Sequence, residues 1–278
     1  LFHQLLDRYY LNGLVSGVQP KVLVSAINDT GKPSIGRSLL QQEDFIIKTY
    51  DDEFPLLTVN EYVCMEAARA CGLAPSQCWL SDDLRTFITE RFDQVHGKRL
   101  GIEDFTVLMG KQGDEKYQSS YEMLMKATYI FTKSDVQLKR MYQYIVFSCL
   151  IGNGDAHLKN FSVQYDESRK DIILTPPYDI THTLIYGTID DKMALKLNGA
   201  KLFPDKKQLI KLGKIYNVDR PEVVIEKIAD TIRDYINSST EVGIIEGLKD
   251  SILGSVHCGT SEKYSTKGYI HDKKKKFD

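Results

Sequence analysis

Ile151-Gly152-Asn153-Gly154-Asp155-Ala156-His157-Leu158-Lys159-Asn160-Phe161 sets a carboxylate five residues before an amide, and Pro176-Pro177-Tyr178-Asp179 follows with a second carboxylate. Asp155 can receive a proton from an attacking hydroxyl. Asn160 and Asp179 offer the hard oxygens that Mg²⁺ takes together with water and phosphate oxygens. His157 and Lys159 interleave with these groups and bring positive charge to the same place. The stretch also reads as an Asn/Asp/Gly-rich turn between an apolar helix and a strand, which needs no chemistry. The rest of the chain decides between the two.

Immediately upstream, Asp135 to Leu150 reads as a helix that becomes nearly all apolar toward its end, the mark of a buried spine. Downstream, Phe161–Tyr165 and Asp171–Thr175 read as a hairpin, which would bring Asn160 and Asp179 together. Ser120–Phe131 reads as another helix, Gln112–Ser120 as a polar loop, and Glu103-Asp104-Phe105 as a helix start. Lys206–Asn217, Pro221–Asn237 and Thr240–Leu253 read as three amphipathic helices, with Pro221 in a first turn and Thr240 as an N-cap. Gly259 to Asp278 turns polar and ends in Lys273–Lys276, a solvated tail or else a patch for nucleic acid or membrane.

Toward the N-terminus, Leu1–Tyr10 reads as a short helix or lead-in, and Ser16-Gly17-Val18-Gln19-Pro20-Lys21 as a turn into a strand over Val22–Ile27. Such a turn can lay backbone N–H groups on phosphates with Lys21 as a point charge, or it can be an ordinary hairpin turn. Lys48 follows the apolar run Phe45-Ile46-Ile47, and burying it demands an acidic or phosphate partner. Asn60–Cys71 has helical periodicity closed by Gly72, with Glu61 and Glu66 as candidate partners for Lys48. Glu61 is preferred, and a plain surface role for it is the alternative. Phe87 to Asp93 reads as a strand running into a polar connector.

With 278 residues and 42% apolar content, the chain can bury one large or two medium cores. A formal net charge of −2 exerts no bulk pull on nucleic acid or membrane. No apolar run approaches the ~20 residues of a membrane span. Five cysteines with no Cys-x-x-Cys pair read as free, buried thiols of a reducing compartment, with a metal site as the alternative. Residue 1 is Leu, which leaves open a trimmed chain or a numbering that starts inside a longer protein.

Asp-x₄-Asn is the interval of the protein-kinase catalytic loop, where the Asp takes the acceptor proton and the Asn holds a magnesium ion. Together with Ser16–Lys21, Phe45–Lys48, Asn60-Glu61, Glu90-Arg91-Phe92-Asp93, Gly154–Ser162 and Leu174–Asp179, it makes the chain resemble the HipA family of bacterial serine/threonine kinase toxins. The resemblance implies an α+β, two-lobed protein-kinase-like fold. A small β-rich N-lobe would cover residues 1–93, a helical C-lobe 94–258 and a basic tail 259–278. It implies Asp155 as catalytic base and Asn160 and Asp179 as magnesium ligands. It also implies that Lys48 binds the ATP phosphates and pairs with Glu61. Glu90, Arg91 and Phe92 would form the adenine hinge, and Ser16, Gly17, Val18, Gln19 and Lys21 the phosphate loop. His157, Lys159 and Tyr178 would line the nucleotide site.

Full-length relatives carry a further domain before the Gly loop, so the chain looks like the short HipT-like form, which works with a small HipS-like partner and an antitoxin. DNA contact would come only through the antitoxin, and the location would be cytoplasmic, away from membrane. The substrates implied are aminoacyl-tRNA synthetases. Family members also phosphorylate a Gly-loop serine of their own. Here Leu14 takes the position three before Gly17, and Ser16 is the hydroxyl left for that role. Two other classes stay open. One is a small-molecule or lipid kinase, since Gly-Asp-x-His-x-x-Asn occurs in phosphoinositide kinases; the other is a non-catalytic kinase-fold binding module.

Overall fold

A computed structural model of the chain describes residues 21–24, 45–50, 52–95, 98–187 and 191–262. Ser16, Gly17, Val18 and Gln19 lie outside the described residues, as do Leu1–Tyr10 and Lys273–Lys276; Lys21 is described through its backbone alone. Four strands, β1 (Lys21–Val24), β2 (Phe45–Thr49), β3 (Cys78–Leu80) and β4 (Thr86–Glu90), form an antiparallel sheet in the order β1-β2-β4-β3. Phe45 and Ile47 are buried on one face of β2. Strand alternation turns Lys48 to the opposite face, in register with Phe87 of β4. α1 (Leu57–Ala70) packs on this sheet through Val59, Val63, Cys64, Ala67 and Ala68, all fully buried. It stops where Gly72 adopts φ +75 and the Leu73 N–H returns to the Ala68 carbonyl.

The connector after β4 leads through β5 (Gln94–Val95) and β6 (Lys98–Arg99) into β7 (Gly101–Asp104). The pattern over 100–105 therefore divides, with a strand first and then α2 (Phe105–Leu108). Its N-cap Asp104 accepts from the N–H groups of Thr106 (2.8 Å) and Val107 (3.1 Å). The polar stretch 112–120 holds a 3₁₀ turn at Gly113–Tyr117. α3 (Tyr121–Thr132) and α4 (Asp135–Ile151) start at capping serines, Ser120 and Ser134. Every residue of α4 from Tyr144 to Ile151 is buried, as a spine requires. The hairpin β8 (Ser162–Tyr165) and β9 (Ile173–Leu174) joins β7 in a second sheet, order β7-β8-β9.

α5 (Lys206–Ile215) and α6 (Pro221–Ser238) fall where periodicity places them, with Pro221 at the first helical position. The helix expected over Thr240–Leu253 is instead a 3₁₀ turn, Glu241–Ile244, followed by α7 (Leu248–Thr260). Gly247, at φ +76, separates the two, and the Thr240 hydroxyl bonds the Glu241 carboxylate rather than capping a helix. The lower end of α1 packs on α6, where the Cys71 thiol meets the Ile228 carbonyl at 3.8 Å, so one continuous apolar core runs through sheet and helices. The five cysteines form no disulfide with one another; Cys64, Cys78 and Cys149 are buried as expected, whereas Cys71 and Cys258 lie half-buried, and no helix among the described residues is long and apolar enough to cross a membrane.

Candidate active site

The loop after α4 is shaped by two glycines. Gly152 takes φ +77 and ends the helix, with the Asn153 N–H closing on the Ser148 carbonyl. A Cβ on Gly152 would come within 2.6 Å of the His182 ring, and one on Gly154 within 2.5 Å of the Thr183 hydroxyl. The segment after Asp179 thus docks directly on the loop carrying Asp155, and the Gly154 N–H donates to the Thr183 hydroxyl at 2.8 Å. The Asn153 side chain accepts from the Asp155 N–H at 3.2 Å, a local turn that presents the carboxylate.

Lys48 is 6% exposed and its Nζ donates to Glu61 Oε1 at 2.5 Å and to Asp179 Oδ1 at 2.6 Å. Burial alone would lower the pKa of this ammonium, but the Asp179 and Glu61 carboxylates outweigh it and hold the pKa above the ordinary lysine value. Glu66, the other candidate on α1, is turned to Arg69 at 3.0 Å. Asn160 Nδ2 donates to the Asp179 carboxylate at 3.2 Å and to its carbonyl at 3.3 Å. Asn160 Oδ1 is left buried with no hydrogen-bond partner in the structure. An orphaned amide oxygen beside a half-exposed carboxylate fits a magnesium ion that takes its remaining ligands from water and phosphate. Among the described residues no group of three or more His, Cys, Asp or Glu side chains could hold a metal by itself. Asp179 sits at φ 58, a left-handed conformation that Asp tolerates better than most residues.

Asp155 faces solvent, and its Oδ1 accepts a long bond, 3.4 Å, from the Tyr117 hydroxyl. Crowding by protein and the nearby Asp179 charge push its pKa up to about 6, against the pull of Lys116 and the Tyr117 hydroxyl. His157 is nearly buried, with the Tyr117 ring edge-on at 5.2 Å. Burial, and then Lys116, lower its pKa to about 4. His157 is therefore neutral near pH 7, and the positive charge expected from His157 and Lys159 falls to Lys159. The burial of His157 beside other cations is the physical reason.

Tyr178 anchors the second strand connection. Its hydroxyl donates to the Lys159 carbonyl at 2.6 Å and lies 2.5 Å from the Ser162 hydroxyl, and its ring stacks on Phe92 at 5.5 Å. Phe92 thus ties the connector after β4 to the loop that carries Asp179. Arg91 spends its guanidinium on Asp93, with bonds of 2.8 and 2.5 Å, which shapes the connector from within. Glu90 ends β4 with an exposed side chain and gives its N–H to the Gln77 carbonyl at 2.9 Å. The crevice lined by Leu73, Arg140, Tyr144, Phe161 and Thr175 includes none of Lys48, Glu61, Asp155, Asn160 or Asp179. The convergence of charges, rather than that crevice, marks the site.

Several residues escape a reading of the sequence. The Asn60 side chain grips the His182 backbone twice, accepting from its N–H at 2.8 Å and donating to its carbonyl at 2.9 Å. The fully buried His182 ring bridges the Ile151 carbonyl at 2.6 Å and the Ser251 hydroxyl at 2.7 Å. Asn60 and Glu61 are adjacent on α1, so one helix turn holds both Lys48 and the segment following Asp179. Tyr144 supports the same region with bonds to the Asn160 (3.4 Å) and Tyr178 (3.3 Å) carbonyls.

A profile of the HipA-like C-terminal domain matches residues 13–239. Two Sinorhizobium fredii relatives that carry the name "Putative kinase", Y4dM and Y4mE, are 31% identical over 172 residues and 29% identical over 201 residues. These alignments take in 56% and 66% of this chain but 42% and 45% of the relatives, so the chain spans about half the length of the curated relatives it matches. A chain of the Shewanella oneidensis MR-1 toxin–antitoxin complex of HipA, HipB and operator DNA superposes with a TM-score of 0.71 at 20% identity, over 88% of this chain and 64% of that one. The Helicobacter pylori proinflammatory kinase CtkA superposes at 0.57 with 14% identity, over 88% of each chain. The shared fold is the two-lobed α+β kinase-like one, and with most of its length matched by that profile the chain belongs to the HipA-like C-terminal domain family.

Proposed function

We propose that the chain is the catalytic part of an ATP- and Mg²⁺-dependent protein serine/threonine kinase acting as the toxin of a toxin–antitoxin system. The observation that carries this reading is Lys48 held between Glu61 and Asp179, with Asn160 on the same carboxylate and the Asp155 carboxylate close by. That is the set of groups a phosphoryl-transfer site needs. The names of the relatives support kinase chemistry, and the Shewanella complex supports an antitoxin partner through which DNA is reached. The family resemblance supplies the finer assignments: an aminoacyl-tRNA synthetase as acceptor, a small HipS-like partner, and Ser16 as a site of self-phosphorylation.

Lys48 would grip the α- and β-phosphates of ATP, with Glu61 keeping its ammonium in place. Asn160 Oδ1 and the Asp179 carboxylate would hold Mg²⁺, which when bound neutralises charge on the β- and γ-phosphates. The acceptor oxygen forms a bond to the γ-phosphorus as the bond to the β,γ-bridging oxygen of ADP breaks, and the acceptor proton passes to Asp155. Asp155 Oδ2 takes no hydrogen bond from the described residues and so remains for that proton. The Phe92–Tyr178 stack would fix the connector that faces the adenine.

Incubating the purified chain with radiolabelled ATP and Mg²⁺, cell lysate and a lipid panel tests the reading. Label is expected on protein serine or threonine, and none with Asp155→Asn. Label confined to lipids or small molecules, or equal in the variant, overturns it.

A further inference from the structure

The crevice that Arg140 shares with Leu73, Tyr144, Phe161 and Thr175 holds a cation that no acid answers. The Arg140 Nη1 donates to the Gln137 side-chain carbonyl at 3.2 Å, and its other N–H groups bond nothing among the described residues. Neither Asp135, the one acidic residue of α4, nor the exposed Asp166, Glu167 and Asp171 of the hairpin pairs with it. Glu66 on α1 is turned to Arg69. Crowding by protein lowers the Arg140 pKa, and no acidic side chain draws it back up. A half-buried guanidinium with free donors carries a desolvation cost that a bound anion would offset.

The walls around this cation are apolar. Leu73, Met141, Phe161 and Leu174 are all buried, and the Tyr144 ring lies tilted on Phe161 at 4.8 Å. One wall is the segment that leads to Asp179, through Leu174, Thr175 and Pro177. It is pinned where it borders the crevice. The Leu174 N–H donates at 3.0 Å to the same Gln137 oxygen that holds Arg140, and the Thr175 N–H donates to the Ser162 carbonyl at 3.0 Å. The Tyr144 hydroxyl bonds the Asn160 and Tyr178 carbonyls. The crevice therefore touches the backbone that places both Asn160 and Asp179.

We propose that this crevice binds a small anion with an apolar body, of the aromatic carboxylate or aryl phosphate class, and that filling it steadies the segment carrying Asp179. The Arg140 guanidinium offers a planar fork of donors that suits either head group. The body would lie against Met141, Tyr144 and Phe161. Contact with Thr175 and Pro177 would restrict the chain just before Asp179 and so reduce the ordering cost of nucleotide binding. The anion site stands on the crevice itself; its effect on nucleotide rests on the kinase reading.

The test titrates the full chain with benzoate and phenyl phosphate, which share a ring and differ in head group. Inorganic phosphate and benzyl alcohol serve as head and body alone. Shifts of the Arg140 Nε–H and Met141 methyl NMR signals locate each probe and give its affinity. Benzoate or phenyl phosphate is expected to bind about tenfold more tightly than benzyl alcohol, the scale of charge-assisted hydrogen bonds. Arg140→Gln should erase that advantage, while Arg169→Gln at the hairpin turn should leave it. Should Arg140→Gln fail to fold, the ranking of the probes on the wild-type chain decides. No shift at either signal, benzyl alcohol binding as tightly as benzoate, or an advantage that survives Arg140→Gln overturns the site. Inorganic phosphate binding as tightly as phenyl phosphate leaves a bare surface anion contact and overturns it too. By calorimetry, saturating benzoate should tighten Mg-ATP binding about fivefold, and Mg-ATP should tighten benzoate by the same factor. Arg140-dependent benzoate binding with unchanged nucleotide affinity overturns the coupling. A chain that binds benzoate but no nucleotide keeps the site and sinks the kinase reading.

Discussion

The two sides of the site are made differently. On the Lys48 side, Lys48, Asn60 and His182 are buried and each makes at least two hydrogen bonds, with Glu61 buried against Lys48. On the Tyr117 side, a single 3.4 Å bond joins Tyr117 to Asp155, and the turn that carries Tyr117 is half-exposed. Buried, multiply bonded polar groups permit one arrangement, because every alternative leaves a group unpaired in a low dielectric. A half-exposed ring joined by one long bond tolerates several. In the proposed kinase, the nucleotide would take the first kind of site and a protein segment the second.

Asp155 stands at the boundary, and its loss should give the largest effect. Asp155→Asn keeps the shape but cannot take the acceptor proton, so transfer should fall by about 10²–10⁴ with ATP binding retained. Equal losses in nucleotide affinity, measured by calorimetry, would mean Asp155 belongs to the rigid side instead.

Asn60→Ala should strike the rigid side next. It strands the N–H and carbonyl of His182 in the interior, at a cost of about 2–4 kcal/mol, or roughly 5–15 °C in Tm for a domain of this size. Asn60→Asp keeps the acceptor and loses the donor, so it should recover part of that loss. Tyr117→Phe should move Tm by less than about 2 °C, since it removes one long, partly solvated bond. Thermal melts of the three variants decide it: comparable shifts for Asn60 and Tyr117 would erase the contrast between the sides.

Asn160→Ala is a smaller and more local test of the same side. It removes the orphaned Oδ1 and the bond that orients Asp179. Nucleotide affinity should weaken about tenfold in the presence of Mg²⁺ and little in EDTA, on the scale of one lost charge-assisted ligand contact. An unchanged Mg²⁺ dependence would place the ion elsewhere.

How much of this was legible depends on whether a residue acts locally or through the fold. Lys48 after three apolar residues, and Asp155 five before Asn160, announce themselves by type and spacing, and the hairpin between Asn160 and Asp179 follows from alternation. Glu61 over Glu66 was a choice between two carboxylates one turn apart, and the geometry pairs Glu61 with Lys48. Gly152 and Gly154 looked like turn residues, yet their lack of a Cβ also makes room for His182 and Thr183 from thirty residues away. Asn60 carried a readable signal: it is an amide on a helix face otherwise made of Val59, Val63, Cys64 and Ala67, and such a residue must find a partner. Its partner, the His182 backbone, has no sequence signature. Tyr117 sits in a polar stretch where nothing distinguishes it from a surface tyrosine. The misplaced helix after Thr240 shows the opposite weakness, since apolar periodicity ran on through Gly243 and Gly247 while the backbone turned at the second of them.

The finest effect concerns the charge of Asp155, which feels both sides. Crowding and the Asp179 carboxylate raise its pKa to about 6, whereas Lys116 and the Tyr117 hydroxyl oppose the rise. A carboxyl raised in the folded state holds its proton longer than in the unfolded chain. Folding stability therefore falls as pH climbs from about 4 through about 6, and the base is ionised only above that window. Removing the Asp179 charge with Asp179→Asn, which also tolerates φ 58, should lower the Asp155 midpoint, and crowding by protein should keep it above the ordinary carboxyl value. Removing the opposing groups with Tyr117→Phe or Lys116→Ala should raise it. Carboxyl carbon NMR of the nucleotide-free protein, followed across pH 3 to 8, reads each midpoint directly. Were Asp155 to titrate near 4 in the wild type, or to ignore Asp179→Asn while following Tyr117→Phe, its charge would be governed from the Tyr117 side alone. The rigid half of the site would then have no electrostatic hold on the base.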